Sequence, residues 1–295
     1  MAPDFGQFTG SGAGVGRHKR QTKNMEYNNS SKRTSSKGNQ NKRVADGWWY
    51  KEDALGYEAL AEVLVSRLLE KSNALSNRSS FVRYEYVQEF RNGKPVRCCR
   101  CRDFLQAEDD KLVSVERLFF LRKGMSASAA CAAIPDVPDR IRFIAENIEE
   151  MTGLTDFGEY LRDMLTVDAL FLNEDRHFHN IALVQRRDGT FREAPLFDHG
   201  AALFSDVRND YPFELPLDDC YEKIQAKPFS TDFDEQLDAA EAFCSTQPFE
   251  AFFTISDVLQ ILSEFQDCYD NRIISRAEEV MRRQIRKYRY LFRQP

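Results

Sequence analysis

A polar run between two apolar segments constrains this chain more than any other feature of its sequence. The stretch LFLNEDRHFHNIALV, residues 170–184, begins and ends with apolar residues that are typical of buried structure. Residues 173–180, between these ends, are almost all polar or charged. We therefore expect a helix that ends near Leu172, a polar loop, and then a strand hairpin.

This loop and the following hairpin bring oxygen-bearing side chains together. Asp175 and Asn180 are five residues apart on the loop, and Asp198 follows the hairpin in the sequence FDHG. Carboxylate and amide oxygens suit Mg²⁺, which often takes further ligands from substrate phosphates. Protein kinases place a catalytic Asp five residues before a metal-binding Asn, and a second metal-binding Asp follows later, two residues before a Gly. The spacing predicts Asp175 as the catalytic carboxylate, and Asn180 and Asp198 as metal ligands.

A kinase also needs a cation for the phosphates of ATP, on an earlier strand and held by a helical Glu. Lys51 ends the strand-like segment GWWYK, and the helical segment after it offers Glu58 and Glu62. Either Glu is a candidate partner for Lys51, and we prefer Glu62. The order of Lys, Glu, Asp-Asn and Asp that such a site requires is then complete.

The segment SSKGNQNK, residues 35–42, precedes that strand and resembles a phosphate-binding loop in composition. It combines small residues, one Gly and two Lys, so its backbone N–H groups and a Lys side chain could face phosphates. The candidate nucleotide-binding residues of this segment are Ser35, Ser36, Gly38, Asn39 and Lys42.

Periodicity predicts an α+β fold with a β-rich start and a helical end. Strand-like alternation predicts a hairpin turning at Asp46-Gly47, strands over 81–122 with a turn at Asn92-Gly93, and a hairpin turning at Asp188-Gly189. Helical spacing predicts helices over GYEALAEVLVSRLLEKSN, over 139–153, over 156–172 and over most of the C-terminal third.

The charge of the chain is unevenly distributed. Residues 1–45 carry nine Lys or Arg and two Asp or Glu, although the whole chain has a net charge of −6. A basic segment rich in Gly, Ser and Asn predicts a flexible tail, which we assign to residues 1–33. Few aromatic residues lie among the basic ones, so we do not expect nucleic acid as the ligand. A nucleic-acid-binding protein that uses this tail is the alternative, and its binding would fall steeply with salt.

Composition also sets the expected compartment. The cysteine count of seven is odd and the residues are scattered, which favours reduced thiols in the cytoplasm over a disulfide framework. No apolar run has the length of a membrane span. The run CCRC at 98–101 and the set of His177, His179 and His199 lack the spacing of a zinc site, so we expect structural roles for them.

The motifs NEDRHFHN and APLFDHG resemble the catalytic and metal segments of HipA-like kinases. This bacterial family includes toxin kinases and the related CtkA-type kinases, and its site is akin to that of lipid kinases with an Asp-Arg-His loop. The segments SSKGNQNK and WWYKEDALGYEALAEVLVSRLL resemble the phosphate loop, ATP-binding strand and following helix of short members. The resemblance covers residues 34–295. No segment matches the extra N-terminal subdomain of larger members, so we do not expect a toxin–antitoxin role.

The resemblance implies a two-lobed, protein-kinase-like α+β fold, related to HipA and lipid kinases. The expected N-lobe, 34–125, is β-rich and binds the phosphates of ATP, and the expected C-lobe, 126–295, is helical and carries the catalytic loop and the Mg²⁺-binding hairpin. Asp175 would orient the acceptor hydroxyl, Asn180 and Asp198 would bind Mg²⁺, and Lys51 would contact ATP. Ser35 and Ser36 match a loop in which relatives carry a self-phosphorylated regulatory serine.

These observations predict an ATP- and Mg²⁺-dependent serine/threonine protein kinase, for which its own loop with Ser35 and Ser36 is one candidate acceptor. The expected partner is a protein substrate, with no membrane involved. A lipid or small-molecule kinase with the same metal site is one alternative. A pseudokinase or interaction module that binds nucleotide without turnover is another. The acceptor and the oligomeric state stay open, because neither depends on the metal site.

Overall fold

The computed structural model describes residues 42–75, 80–105, 107, 110–244 and 248–293. The predicted tail over 1–33 lies outside these residues, as do Ser35, Ser36, Gly38 and Asn39. The strands are β1 (Lys42–Ala45), β2 (Trp48–Glu52), β3 (Glu85–Arg91), β4 (Lys94–Arg102), β5 (Lys111–Ser114), β6 (Ala182–Gln185) and β7 (Phe191–Glu193). The α-helices are α1 (Glu58–Leu69), α2 (Val115–Lys123), α3 (Ala127–Ala132), α4 (Val137–Thr152), α5 (Phe157–Phe171), α6 (Leu217–Lys223), α7 (Phe233–Phe243), α8 (Ile255–Ser263) and α9 (Asn271–Lys287).

An antiparallel sheet of order β1-β2-β4-β3 forms the N-terminal region. Its two hairpins turn at Asp46-Gly47 and Asn92-Gly93, and all four of these residues have positive φ, between 50° and 74°. Two successive positive φ values define the tight turns that Asp-Gly and Asn-Gly favour, so both predicted turns are confirmed. Helix α1 packs against β2, β3 and β4 and buries its Leu and Val side chains there.

A second sheet, of order β5-β6-β7, lies next to the polar loop in sequence and in space. Strands β6 and β7 form the predicted hairpin, with Gly189 in its turn at φ 87°. Strand β5 comes from the first half of the chain and pairs along β6. The chain leaves β7 and reaches Asp198 within five residues, so this hairpin places the second metal-ligand candidate.

The C-terminal region is helical, as predicted. Helix α5 is buried along almost all of its length and packs against α4, α7 and α9. It ends at Phe171, and Leu172 follows in the left-handed conformation with φ 56°, which turns the chain into the polar loop. In the described part of the chain, none of the helices is long and apolar enough to cross a membrane.

The prediction of strands over 81–122 is wrong at its C-terminal end, where α2 forms instead. The side chain of Ser114 accepts a hydrogen bond from the N–H of Arg117 at 3.2 Å and caps the helix. Gly124 ends the helix in the left-handed conformation, with φ 69°. The helix is short, and its exposed Phe120 and Leu121 obscure the helical spacing of its buried residues.

Two glycines of the site region differ in the room around their Cα atoms, which gives a stability prediction. A Cβ on Gly56 would lie 2.0 Å from the backbone oxygen of Ser205, whereas a Cβ on Gly200 would meet its nearest atom, the Cβ of Glu58, at 3.4 Å. Backbone cannot move as a side chain can, so Gly56→Ala should lower the free energy of unfolding by about 1–3 kcal/mol. Gly200→Ala is the matched control and should unfold close to the wild type. Urea unfolding measures both, and equal midpoints for the two variants would contradict the packing described.

Candidate active site

The polar loop is fixed to the buried end of α5. The backbone N–H of Asn173 donates to the carbonyl of Asp168 at 2.9 Å, and the Asn173 side chain donates to the Asp168 carboxylate at 2.7 Å. Asp168 is fully buried within the last turns of α5. A buried carboxylate needs partners, and here it fixes the start of the loop.

Arg176 connects this loop to the segment before Asp198. Its guanidinium, also fully buried, contacts the two carboxylate oxygens of Asp168 at 2.7 and 3.0 Å. It also donates to the carbonyls of Asn180 at 3.0 Å and Phe197 at 2.9 Å. Burial alone would lower the pKa of Arg176, but the charge and hydrogen bonds of Asp168, together with the nearby Tyr160 and Asp198, outweigh burial and hold this pKa above its usual range. One charged side chain thus connects both parts of the site through hydrogen bonds.

Lys51 lies near the C-terminal end of β2, and its side chain lies between two carboxylates. Its Nζ is 2.5 Å from Glu62 Oε1 and 2.7 Å from Asp198 Oδ1. Burial lowers the pKa of Lys51, but the charges of Asp198 and Glu62 outweigh burial and raise that pKa well above its usual value. Lys51 is therefore a buried ammonium group that keeps its proton at neutral pH.

Glu62 is the member of the candidate pair that contacts Lys51. Its side chain is fully buried on α1, and its second oxygen accepts the backbone N–H of His199 at 2.9 Å. Burial raises the pKa of Glu62, and the adjacent Lys51 works in the opposite direction. Glu58 has a different role, because its carboxylate accepts backbone N–H groups of Leu55 at 2.6 Å and Gly56 at 3.0 Å. Glu58 thereby orders the loop before α1 and lines the same cavity as the other site residues.

Asp198 adopts the left-handed conformation, with φ 64°, which non-glycine residues rarely use but Asp tolerates. Its N–H donates to the hydroxyl of Tyr84 at 3.5 Å, and its second carboxylate oxygen lies 3.5 Å from Lys42 Nζ. Burial would raise the pKa of this carboxyl, but Lys51 and Lys42 together hold that pKa far below its usual range. Asp198 is therefore ionised at any physiological pH.

Asp175 and Asn180 face each other across the loop. The Asn180 side-chain NH₂ donates to the backbone carbonyl of Asp175 at 3.1 Å, so its amide oxygen is the atom that a cation would use. The Asp175 carboxylate lies 3.5 Å from Lys227 Nζ and 3.9 Å from His177 Nε2. Burial lowers the pKa of His177, which favours its neutral form.

One cavity is lined by Glu58, Asp175, Asn180 and Asp198, whereas Lys51 and Glu62 are not among its lining residues. Its lining consists of Ala54, Leu55, Glu58, Asp175, Asn180, Asp198, Gly200, Ala201, Ser205 and Asp206. The carboxylate of Asp198 and the amide oxygen of Asn180 are hard oxygen donors, a set that fits Mg²⁺ when phosphates supply further ligands. Among the described residues, no group of three or more His, Cys, Asp or Glu side chains is arranged to hold a metal ion by itself.

Sequence reasoning missed three residues that contribute to the site. Asp168 had a visible signal, since a single acid within the apolar run TVDALF has to be paired when that run is buried. Tyr84, whose ring centroid lies 5.1 Å from Lys51 Nζ, reads in sequence as an ordinary strand aromatic. Lys227 lies 52 residues beyond Asp175, and no motif marks it.

Comparisons with known proteins show the fold of this chain but no family. No family model matches the chain, and no curated protein does so by sequence. Among solved structures, the chain is similar to the Helicobacter pylori proinflammatory kinase CtkA, with a TM-score of 0.57 and 15% identity over 84% of this chain and 90% of that one. A structure of the GDP and kanamycin complex of APH(2")-IIia also matches, with 16% identity over 84% of this chain and 90% of that one. Its TM-score of 0.24 is too low to indicate a shared fold. The predicted kinase-like α+β fold is confirmed, whereas membership of the HipA-like family stays a prediction.

Removing the ammonium group of Lys51 should make stability depend on pH through Glu62. In Lys51→Met, burial raises the pKa of Glu62 without opposition from that cation, so the folded chain keeps a proton there that the unfolded chain releases. The free energy of unfolding of the variant, relative to wild type, should therefore fall as pH rises above about 5. Once Glu62 of the folded variant has lost its proton, the loss should reach about 3–5 kcal/mol, the usual cost of breaking a buried ion pair.

Urea unfolding of both proteins across this pH range measures the effect. Lys71→Met is the matched control, because Lys71 forms an exposed ion pair with Asp257. That variant should lose at most about 1 kcal/mol and show no added pH dependence. Parallel pH profiles for Lys51→Met and wild type would show that Lys51 does not compensate the charge of Glu62.

Proposed function

We propose that this chain is an ATP- and Mg²⁺-dependent kinase that transfers a phosphoryl group to Ser or Thr hydroxyls of a protein. The observation that carries the proposal is a single arrangement within a kinase-like fold. Asp175, Asn180 and Asp198 line one cavity. Lys51 contacts Asp198, and Glu62 forms an ion pair with Lys51. Positioning and electrostatic stabilisation supply most of the catalysis in phosphoryl transfer, and these side chains have the chemistry for both.

Two ammonium groups would bind the phosphates of ATP. Lys51 is buried and protonated at neutral pH, and Lys42 lies on the adjacent strand β1 with its Nζ 3.5 Å from Asp198. Electrostatic attraction is stronger where water is excluded, so a buried ammonium group is an effective phosphate ligand. Residues 35–41 of the predicted phosphate loop precede β1 in the sequence, and their backbone N–H groups would add to these contacts.

Asn180 and Asp198 would hold the metal ion. When bound, Mg²⁺ offsets the charge of the phosphate oxygens and favours departure of the ADP group. The Asp198 carboxylate is ionised, and the Asn180 NH₂ group donates to the carbonyl of Asp175. The carboxylate of Asp198 and the amide oxygen of Asn180 are therefore both suited to a cation. Arg176 and Asn173, which bind the backbone around these two residues, would keep the oxygens in place.

Asp175 would orient the acceptor hydroxyl and accept its proton as the new oxygen–phosphorus bond forms. Its carboxylate reaches the cavity from the side of the polar loop, and 8% of the residue is exposed to solvent. A Ser or Thr acceptor follows from the resemblance to HipA-like kinases rather than from the cavity. A panel of labelled-ATP reactions with protein extract, inositol lipids and sugars would identify the acceptor class.

Intact mass after incubation with Mg·ATP tests the proposed reaction. The wild-type chain should gain the mass of at least one phosphate, and Asp175→Ala should gain none because the hydroxyl is no longer oriented. The variant should still bind nucleotide, since Lys51, Asn180 and Asp198 are intact. Loss of a catalytic carboxylate should slow transfer by about 100- to 10,000-fold.

Asp238→Ala is the matched control, because Asp238 lies exposed on α7, away from the cavity. It should gain phosphate at the wild-type rate. Mapping the phosphate to Ser35 or Ser36 would support the proposed self-phosphorylated loop. Equal mass gain in wild type and Asp175→Ala would refute the role of Asp175. Absence of both mass gain and ADP formation in the wild type, despite nucleotide binding, would favour the pseudokinase.

A further inference from the structure

A lysine from a distant segment reaches the proposed catalytic carboxylate. Lys227 lies between α6 and α7, and its Nζ is 3.5 Å from Asp175 Oδ1. The side chain remains 45% exposed, so the ammonium group lies at the rim of the site rather than in the core. The cation is therefore accessible to a bound acceptor, and the mostly buried carboxylate lines the cavity.

The segment that carries Lys227 is fixed to the polar loop. The fully buried ring of Phe229 meets the ring of Phe178 edge-to-face, with centroids 5.5 Å apart. The carbonyl of Phe229 also accepts a hydrogen bond from the guanidinium of Arg140 at 2.7 Å. The Ala226 N–H donates to the carbonyl of Thr231 at 2.9 Å and closes the turn. Packing of the segment, rather than the ion pair, therefore sets the distance between Lys227 and Asp175.

The small contribution of this ion pair to stability does little to explain why a lysine occupies this position. Half-exposed pairs at such distances contribute about 0–1 kcal/mol to stability. The chemistry of the site gives a stronger reason. Lys51 and Lys42 both lie near Asp198, on the side of the cavity where the phosphates of ATP would bind. A phosphoryl group that moved from ADP towards a hydroxyl at Asp175 would bring its negative oxygens towards the ammonium group of Lys227.

We propose that Lys227 is a catalytic residue that contacts the phosphoryl group during its transfer, an inference that rests on the proposed function. In this step the bond between the γ-phosphorus and its bridging oxygen breaks, and the electron pair leaves with ADP. The acceptor oxygen forms the new bond to phosphorus, and its proton passes to the Asp175 carboxylate. The Lys227 ammonium group donates hydrogen bonds to the non-bridging oxygens of the transferred group and keeps its protons. Its charge thereby stabilises the phosphoryl group as it approaches the acceptor.

The test compares Lys227→Met and Lys227→Arg with wild type by the rate of ADP formation from Mg·ATP, which counts every acceptor including water. Loss of a charge-assisted contact in the transition state should lower kcat of Lys227→Met by about 10- to 100-fold. The KM for ATP should change less than about threefold, because the contact strengthens only as transfer proceeds. Lys227→Arg keeps the charge and should recover to within about fivefold of wild type.

Calorimetric titration with Mg·ADP gives a readout that does not depend on turnover. Lys227→Met should bind ADP as wild type does, because ADP lacks the transferred group. A structural role for Lys227 would instead weaken ADP binding and lower the thermal unfolding midpoint together. Lys223→Met is the matched control, since Lys223 is similarly exposed and lies 3.6 Å from Asp210 rather than at Asp175. It should match wild type in both assays.

The outcomes separate this inference from the proposed function. An active wild type with unchanged kcat in Lys227→Met would overturn the role of Lys227 and leave the kinase proposal intact. The same conclusion would follow from an Arg variant as slow as the Met variant, or from loss of ADP binding in Lys227→Met. A wild-type chain that binds ADP but forms none from ATP would overturn the kinase proposal, and the role of Lys227 with it.

Discussion

The ammonium group of Lys51, buried with two carboxylates, is the interaction on which the site depends. A lone charge inside a protein costs several kcal/mol, so Lys51 is tolerated only when Glu62 and Asp198 both reach it. These three residues come from β2, from α1 and from the segment after β7. The sheet, the helix and the hairpin must therefore dock in one register, because any slip would leave a buried charge unpaired.

A second buried network fixes the other half of the site. Arg176 forms an ion pair with Asp168 and also donates hydrogen bonds to the carbonyls of Asn180 and Phe197. Asn180 is one proposed metal ligand, and Phe197 directly precedes the other, Asp198. The Lys51 network reaches the same segment, through the carboxylate of Asp198 and the N–H of His199. Because the networks meet at residues 197–199, the loop and the metal-ligand segment are held as one unit. Such preorganisation is what transfer chemistry requires, since misplacement by one ångström is costly.

Much of this arrangement was predictable, because it is encoded in short-range spacing. Turn residues predicted the hairpins, helical periodicity predicted α1 and α5, and the five-residue interval predicted which loop residues share the cavity. Contacts between distant segments were not predictable in the same way. Tyr84 reaches the site through tertiary packing, and Lys227 does so on a segment held by a ring contact that its sequence neighbourhood does not signal. Helix α2 was missed because its exposed apolar residues hide the helical period.

Spacing also could not decide between Glu58 and Glu62, since both lie on the first turns of one helix. Burial decides the matter. Glu58 is satisfied by backbone N–H groups of its own loop, so its charge has no need of a lysine. Glu62 is enclosed beside the site, where Lys51 and the His199 N–H are its partners.

This geometry indicates a second role for Glu62 besides neutralising the charge of Lys51. Asp198 contacts Lys51, and a divalent cation at its carboxylate would compete with the ammonium group for the same oxygens. Lys51 would then need a second anion that does not move. Glu62 meets this need, because full burial and the His199 N–H fix its carboxylate independently of Asp198. A single carboxylate would stabilise either the lysine or the metal, whereas two at different fixed positions allow both cations to face the same phosphates.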